Sequence, residues 1–337
     1  MAGEPRVGVI GTGGMGGRHA RNLARSTKGA ELAALMDIDS ERALALAKDC
    51  GAPRVFDNAF ALINDPDIDA LIIASPDRTH ADLALACLKA GKPVLCEKPL
   101  AADLETAAAV VKAEAELGER CIHLGFMRVY DPAHLSVLEA LQRNDIGKPL
   151  MFRGVHNNFV PGRRRTITDV ATNSAVHDFH SACWLMQDDI AKVMASHVPA
   201  SDDDPGSCRF LLIQLDFANG AVGTIEVNAD SGYGYEVLVE ISGEGGLVRS
   251  ADHSGATLWR SGVRSIDIPP DWLVRFEQAY VDELQAWVQS LGQGRPIGPS
   301  AWDGYRSLAI ADAVIRSIGT GQAEPVRTMV KPSLYAT

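Results

Sequence analysis

The sequence predicts two domains: an α/β domain with a parallel sheet, and an α+β domain with a large, mainly antiparallel open sheet. Three observations predict this. Over residues 1–125, short apolar β-branched runs alternate with helical patterns, which implies a parallel sheet with right-handed crossovers. From Val193 to Trp259, strand-like runs follow one another with only turns between them, which implies antiparallel pairing. The chain has 337 residues, enough for about two domains. The boundary is placed so that 1–125 is one domain and 126–337 the other.

Composition narrows the function classes. Hydrophobic residues make up 46% and charged residues 22%, enough apolar side chain to bury a sizeable core in a globular protein. The net charge is −11, with no long basic stripe, which argues against nucleic acid and anionic membrane as partners. The single basic cluster, Arg163-Arg164-Arg165, reads as a solvated loop. Six cysteines are scattered without a Cys-x-x-Cys pair or zinc spacing, so free buried thiols and no metal site are expected. No signal-peptide pattern and no run of about 18 apolar residues is present, so a cytoplasmic protein is expected.

Arg6 to Ile10 is a short strand, and Gly11-Thr12-Gly13-Gly14-Met15-Gly16 follows at once, then a helical pattern through Leu23. In that setting Gly11 makes the tight turn, Gly13 lets backbone approach a pyrophosphate, and Gly16 lets helix and strand pack closely. The helix N-terminus adds unpaired N–H groups and a positive dipole end. A second apolar run, Leu32 to Met36, ends at Asp37, the acidic position that accepts from adenosine ribose hydroxyls. This is the dinucleotide fingerprint of a Rossmann domain. An acid at Asp37 repels a 2′-phosphate, and Ile38-Asp39 adds no arginine, so NAD is predicted over NADP. Ala70 to Ala74 is a strand, Ser75-Pro76-Asp77 a loop at its carboxyl end, and His80 to Ala90 a helix. His80 is either a helix-start residue or a cofactor contact. Pro93 to Cys96 is another buried strand, and it stops at Glu97-Lys98-Pro99, which puts Lys98 at a strand end facing a cleft.

In the second domain a helix is predicted from about Pro132 to Gln142, and an extended run over Leu150 to Asn158. Further strands are expected at Val193–His197, Phe210–Phe217, Val222–Val227, Val237–Ser242, Leu247–Arg249 and Thr257–Trp259. Two closing helices span about Trp272 to Leu291 and Trp302 to Ile318. A large sheet with one open face predicts a homo-oligomer. The segment Asn173 to Leu185 has helical spacing, with Asn173, His177, His180 and Trp184 on one face. By pattern alone these are either a site wall or a core histidine beside a surface one. Metal binding is not expected, since no carboxylate or thiol completes a shell around His177 and His180, Asp178 being read as turned elsewhere.

Taken together, these motifs resemble the Gfo/Idh/MocA oxidoreductase family, and most closely its inositol dehydrogenase branch. The resemblance covers nearly the whole chain. It rests on Gly11 to Gly16, Glu97-Lys98-Pro99, Gly125-Phe126-Met127-Arg128, Gly147-Lys148-Pro149-Leu150, His156-Asn157-Asn158, Tyr233-Gly234-Tyr235 and Ala301-Trp302-Asp303-Gly304-Tyr305. It implies NAD-dependent oxidation of a secondary alcohol on a cyclic polyol, myo-inositol or a related inositol, by a homotetramer. It implies Lys98 and His177 as catalytic residues, with Asn173 where the family has aspartate. His180 stands where the branch commonly has Asp. The implied cofactor contacts are Gly11, Thr12, Gly13, Gly14, Met15, Gly16, Asp37, Ile38, Ser75, Pro76, His80, Glu97 and Lys98. The implied substrate pocket adds Met127, Arg128, His156, Asn158 and Tyr235 to Asn173, His177 and His180. Two alternatives stay open: a sugar dehydrogenase or reductase of the same family, and a dinucleotide-binding sensor that has lost the chemistry.

Overall fold

The computed structural model describes residues 3–52, 54–250, 257–293 and 296–336. The chain divides into two compact units. The first comprises residues 1–127, 278–308 and 328–337, and the second residues 128–277 and 309–327.

The first unit holds a six-stranded, wholly parallel sheet: β1 (Arg6–Ile10), β2 (Glu31–Met36), β3 (Arg54–Phe56), β4 (Ala70–Ile73), β5 (Val94–Cys96) and β6 (Ile122–Leu124). Their order is β3-β2-β1-β4-β5-β6. The order reverses between β1 and β4, so a crevice opens there at the carboxyl ends of the strands. Gly11, which follows β1, and Ser75, which follows β4, flank it. The strands are apolar on both faces because helices cover both. Helices Gly14–Arg25, Ser40–Cys50, His80–Lys89 and Leu104–Leu117 alternate with them. Asp39, Asn58 and Asp103 cap helix starts by accepting from backbone N–H groups. Helix Glu277–Leu291 returns to this unit and sets Leu284, Trp287 and Val288 into the cluster of Val7, Val9, Leu35, Ile72 and Leu95. Trp287 is fully buried there, and burying a side chain of that size contributes about 1.5–3 kcal/mol or more.

The second unit holds a seven-stranded sheet ordered β12-β11-β7-β10-β9-β8-β15. Its strands are β7 (Pro149–Asn157), β8 (Ile190–Val198), β9 (Phe210–Phe217), β10 (Val222–Asn228), β11 (Glu236–Gly243), β12 (Leu247–Arg249) and the short β15 (Glu324–Pro325). A separate hairpin joins β13 (Thr257–Arg260) to β14 (Val263–Ile266). The sheet is mainly antiparallel as expected, but β7 and β10 run parallel. Alternation is clear along β10 and β11, where every second residue is buried. Helix Pro132–Gln142 has the predicted limits.

Two expected elements differ. The helix expected over Trp272 to Leu291 is two helices, Trp272–Arg275 and Glu277–Leu291, because Phe276 leaves helical geometry and packs its ring beside Arg275. The segment expected as one α-helix from Asn173 is a π-turn over Val170–Ala175 followed by an α-helix over Val176–Met186. Every residue of that α-helix except Trp184 is buried. His177, His180 and Trp184 keep i, i+3, i+7 spacing on this α-helix and so share a face, while Asn173 lies in the π-turn before it.

Candidate active site

The glycine turn behaves as its sequence demands. Gly11 has φ +90°, and a Cβ there would sit 2.6 Å from the Ala74 carbonyl oxygen. A Cβ on Gly16 would lie 1.7 Å from the Gly11 carbonyl oxygen, so any side chain would push helix and strand apart. Gly13 and Gly14 face open space, with nothing within 4 Å of the point a Cβ would occupy. Helix Gly14–Arg25 has no side-chain N-cap and no acid in its first turn. Its first N–H groups and dipole are thus left for an anionic ligand, which fits a pyrophosphate.

Asp37 is 5% exposed and heavily engaged. Its Oδ2 accepts from the Thr12 N–H and hydroxyl, both at 2.7 Å, and its Oδ1 from the Asp39 N–H at 3.0 Å. Arg42 donates to Oδ1 at 2.7 Å. Burial alone would raise this carboxyl, but the Arg42 guanidinium and the N–H donors bring it down to about 2. Asp37 is thus an anion that locks the glycine turn to the end of β2. Ile38 beside it is 86% exposed, an apolar surface suited to a flat ring. Arg42, five residues on, was not legible as a partner from the Ile38-Asp39 context. Its signal is the one-turn offset along helix Ser40–Cys50.

Around Lys98, which is partly exposed, the flanking groups are fixed. The His80 ring bridges two carbonyls, with Nδ1 at 2.7 Å from Pro99 O and Nε2 at 2.8 Å from Ser75 O. It lies between the loop after β4 and the turn after β5 and can donate to either carbonyl. Pro76 is exposed, and Ser75 and Met15 are partly buried. Glu97 is 5% exposed and accepts from His19 Nε2 at 2.8 Å. Burial pushes this carboxyl up, but the His19 hydrogen bond and charge outweigh it and hold it below its ordinary range. Gly125 makes room, since a Cβ there would meet Glu97 Oε2 at 3.1 Å. Behind this pair lies Glu283, fully buried, with no hydrogen-bond partner on either oxygen among the described residues. His123 Nε2 is 3.6 Å from it, too far for a hydrogen bond. Burial pushes Glu283 well above its ordinary range, with the nearby Glu97 charge adding to the effect, and burial brings His123 down to about 4. Burial thus favours the neutral form of both groups.

In the second unit the predicted pocket residues Arg128, His156 and Tyr235 meet around a residue the pattern did not single out, Asp178. Arg128 Nη1 donates to Asp178 Oδ1 at 2.5 Å, and His156 Nδ1 lies 2.8 Å from Asp178 Oδ2. Tyr235 Oη is 3.1 Å from His156 Nε2, and the two rings meet edge to face at 5.6 Å. Asp178, read from sequence as pointing elsewhere, points inward because its helix is buried on nearly all sides. Burial raises its carboxyl, but the Arg128 and His156 charges outweigh that and bring it to about 2. Burial lowers His156 and raises Tyr235 to about 12. His177 and His180 are buried at 7% and 3% on the same helix, and Asn173 is partly buried in the π-turn. Such turns are frequent at functional sites. Asn158 is buried at 8%, its Nδ2 donating to Asn228 O, and Met127 in the first unit is 2% exposed. Arg165, expected in a solvated loop, is partly buried and donates to Ser174 Oγ at 2.8 Å and Asp169 O at 3.1 Å. Its guanidinium thus anchors the π-turn. Among the described residues no cluster of three or more His, Cys, Asp or Glu is arranged to hold a metal ion, and no helix is long and apolar enough to cross a membrane.

Residues 5–126 match the model of an oxidoreductase family with an NAD-binding Rossmann fold, and residues 138–328 match the C-terminal alpha/beta domain of that family. The chain is 46% identical to an inositol 2-dehydrogenase of Rubrobacter xylanophilus, over 98% of this chain and 95% of that protein. It is 39% identical to inositol 2-dehydrogenase 2 of Saccharopolyspora erythraea, over 98% of each. Among solved structures, myo-inositol dehydrogenase from Lactobacillus casei in complex with NAD(H) and myo-inositol superposes with a TM-score of 0.92 at 32% identity, covering 98% of this chain and 99% of that one. The glycine turn, the Asp37 lock and these matches agree on the nucleotide, NAD, and the chain belongs to the Gfo/Idh/MocA oxidoreductase family.

Proposed function

We propose that the protein oxidises one secondary alcohol of an inositol to the ketone, with NAD as hydride acceptor. The observation that carries this reading is the buried wall of Arg128, His156 and Tyr235 around Asp178, in the same unit as His177. A few fixed polar groups of this kind suit a small ligand with several hydroxyls. The inositol 2-dehydrogenases among the relatives support the same substrate class.

When bound, NAD supplies the hydride acceptor. His177 takes the proton of the reacting hydroxyl, a task for which imidazole is suited near neutral pH. Lys98 donates to the same oxygen and stabilises its developing negative charge as the carbinol carbon gives up hydride and the C=O bond forms. Asn173 orients a partner by hydrogen bonding and contributes no charge. In this reading residues 1–125 bind the dinucleotide, and residues 126–337 bind the polyol and carry self-assembly into a homotetramer, in the cytoplasm.

A second reading has its own observation. His180 replaces an acid common in the inositol branch, which favours a different cyclitol or a pyranose sugar. A screen of inositol isomers and aldoses, following NADH by its absorbance, separates them. Turnover with an inositol supports the main reading, and turnover with aldoses alone supports the second. NAD binding without turnover on any of them would leave the sensor reading suggested by Asn173.

A further inference from the structure

Asp178, His156 and Tyr235 form a chain of hydrogen bonds whose direction is determined by its buried end. The Asp178 carboxylate can only accept, so at 2.8 Å from His156 Nδ1 a hydrogen must lie between them. Arg128 Nη2, at 3.2 Å from the same Nδ1, is therefore a neighbour of that N–H and not its donor; the shorter contact decides. With burial keeping the ring neutral, Nε2 carries a lone pair, and it accepts from the Tyr235 hydroxyl at 3.1 Å. Tyr235 Oη also faces the Arg128 guanidinium. All four side chains are at most 4% exposed, and Phe276 packs against Tyr235 and Arg128, which holds the chain in one arrangement.

We propose that Asp178 is a positioning residue for the polyol-binding wall: it fixes Arg128 and the Nδ1–H tautomer of His156, and through His156 it turns the Tyr235 proton inward. This deepens the function proposed above, and rests on it for the identity of the ligand. The consequence is a wall of defined polarity. Arg128 can only donate to a ligand hydroxyl, and Tyr235, its own proton spent, can only accept from one. Asp178→Asn reverses the chain. An amide that turns its oxygen to Arg128 presents its NH₂ to His156 Nδ1. The ring then shifts its hydrogen to Nε2, and Tyr235 must accept from it and aim its proton elsewhere.

Two measurements on the full chain test this. Long-range ¹H–¹⁵N spectra of histidine-labelled protein report the tautomer of His156 without substrate. Steady-state NADH formation with myo-inositol reports KM for each substrate. The expected results are Nδ1–H in the parent, Nε2–H in Asp178→Asn, and a KM for inositol raised about tenfold with KM for NAD changed less than about twofold, a tenfold loss being the order expected for one misdirected hydrogen bond. Tyr235→Phe leaves the Arg128–Asp178 pair intact and so guards against a misfolded variant. It should keep the Nδ1–H tautomer and raise the inositol KM by a similar factor, with little further loss in the double variant. An unchanged tautomer in a folded Asp178→Asn, an inositol KM unmoved in Tyr235→Phe, or a parallel loss for NAD would overturn the proposal. If the parent turns over no inositol yet the tautomer switches, the positioning role stands and the substrate reading falls.

Discussion

Replacing Glu283 by Gln should stabilise the protein at neutral pH and do so less as the pH falls. Glu283 is fully buried on helix Glu277–Leu291, with neither oxygen hydrogen-bonded among the described residues. The groups facing it are His123 on β6, neutral at pH 7, and the Glu97–His19 pair, whose carboxylate opposes its ionisation. Its folded pKa is therefore well above the ordinary value, while in the unfolded chain it titrates near about 4.3. Below the unfolded value both states hold the proton, and the contribution is fully present. Above it, the unfolded chain releases the proton and the folded one keeps it, so rising pH favours unfolding until the folded pKa is passed. Inside that window the loss is about 1.36 kcal/mol per pH unit. Gln does not titrate and lacks this slope. With about 1.4 °C of melting temperature per kcal/mol for a chain of 337 residues, the gap between Glu283→Gln and the parent should widen by about 2 °C per pH unit. Thermal melts at intervals from about pH 4.5 to about pH 7 would show it. A gap that stays flat over that range would mean Glu283 is ionised or well partnered in the folded protein, and the reasoning fails.

Three further outcomes follow from the geometry. Asp37→Ser should raise the KM for NAD by about tenfold, the loss expected when a charged hydrogen-bond acceptor is removed, and relax discrimination against NADP, because Arg42 loses one of its two carboxylate partners, keeping Asp39 at 3.2 Å, and the carboxylate that repels a 2′-phosphate is gone; if the parent already turns over equally with NADP, this reading of Asp37 is wrong. Asn173→Asp adds a negative charge one turn before His177, favours the charged imidazole, and should move the limb of the pH–rate profile set by that base to higher pH; an unshifted profile removes Asn173 from the site. Gly16→Ala should abolish measurable NAD binding in calorimetry, since its Cβ would sit 1.7 Å from the Gly11 carbonyl oxygen, and retained tight binding would show that the turn can open.

Local rules made much of the fold legible. The glycine turn, helix Pro132–Gln142, and strands Phe210–Phe217 and Leu247–Arg249 lie where turn chemistry and periodicity put them. What escaped was set by distant parts of the chain. β3 and β15 are short, at three and two residues, and β14 exposes most of its residues, so none carries a buried apolar pattern of its own. The parallel pairing of β7 with β10 depends on where the chain re-enters the sheet, which no local pattern encodes. In the site, Lys98 and His177 stood out by motif, whereas Asp178 escaped because its partners Arg128 and His156 lie 50 and 22 residues away. Glu283 left a readable trace. It shares the buried face with Tyr280, Leu284 and Trp287 at helical spacing, and an acid on such a face signals a perturbed group.

The place of β7 inside its sheet also bears on how the chain is made. Its two neighbours are β10 and β11, and Asn157 pairs with Glu236, 79 residues further on. At about 5–20 residues per second, a ribosome needs roughly 4–16 s to deliver that partner after β7 has been synthesised. Until β10 emerges, β7 has both edges bare, and until β11 follows it keeps one. Its N–H and C=O groups meanwhile offer a template for another nascent chain. β8, by contrast, meets β9 after a short connection. The strand that carries His156, and so holds one wall of the proposed site, therefore passes through synthesis with less local protection than the strands made just after it.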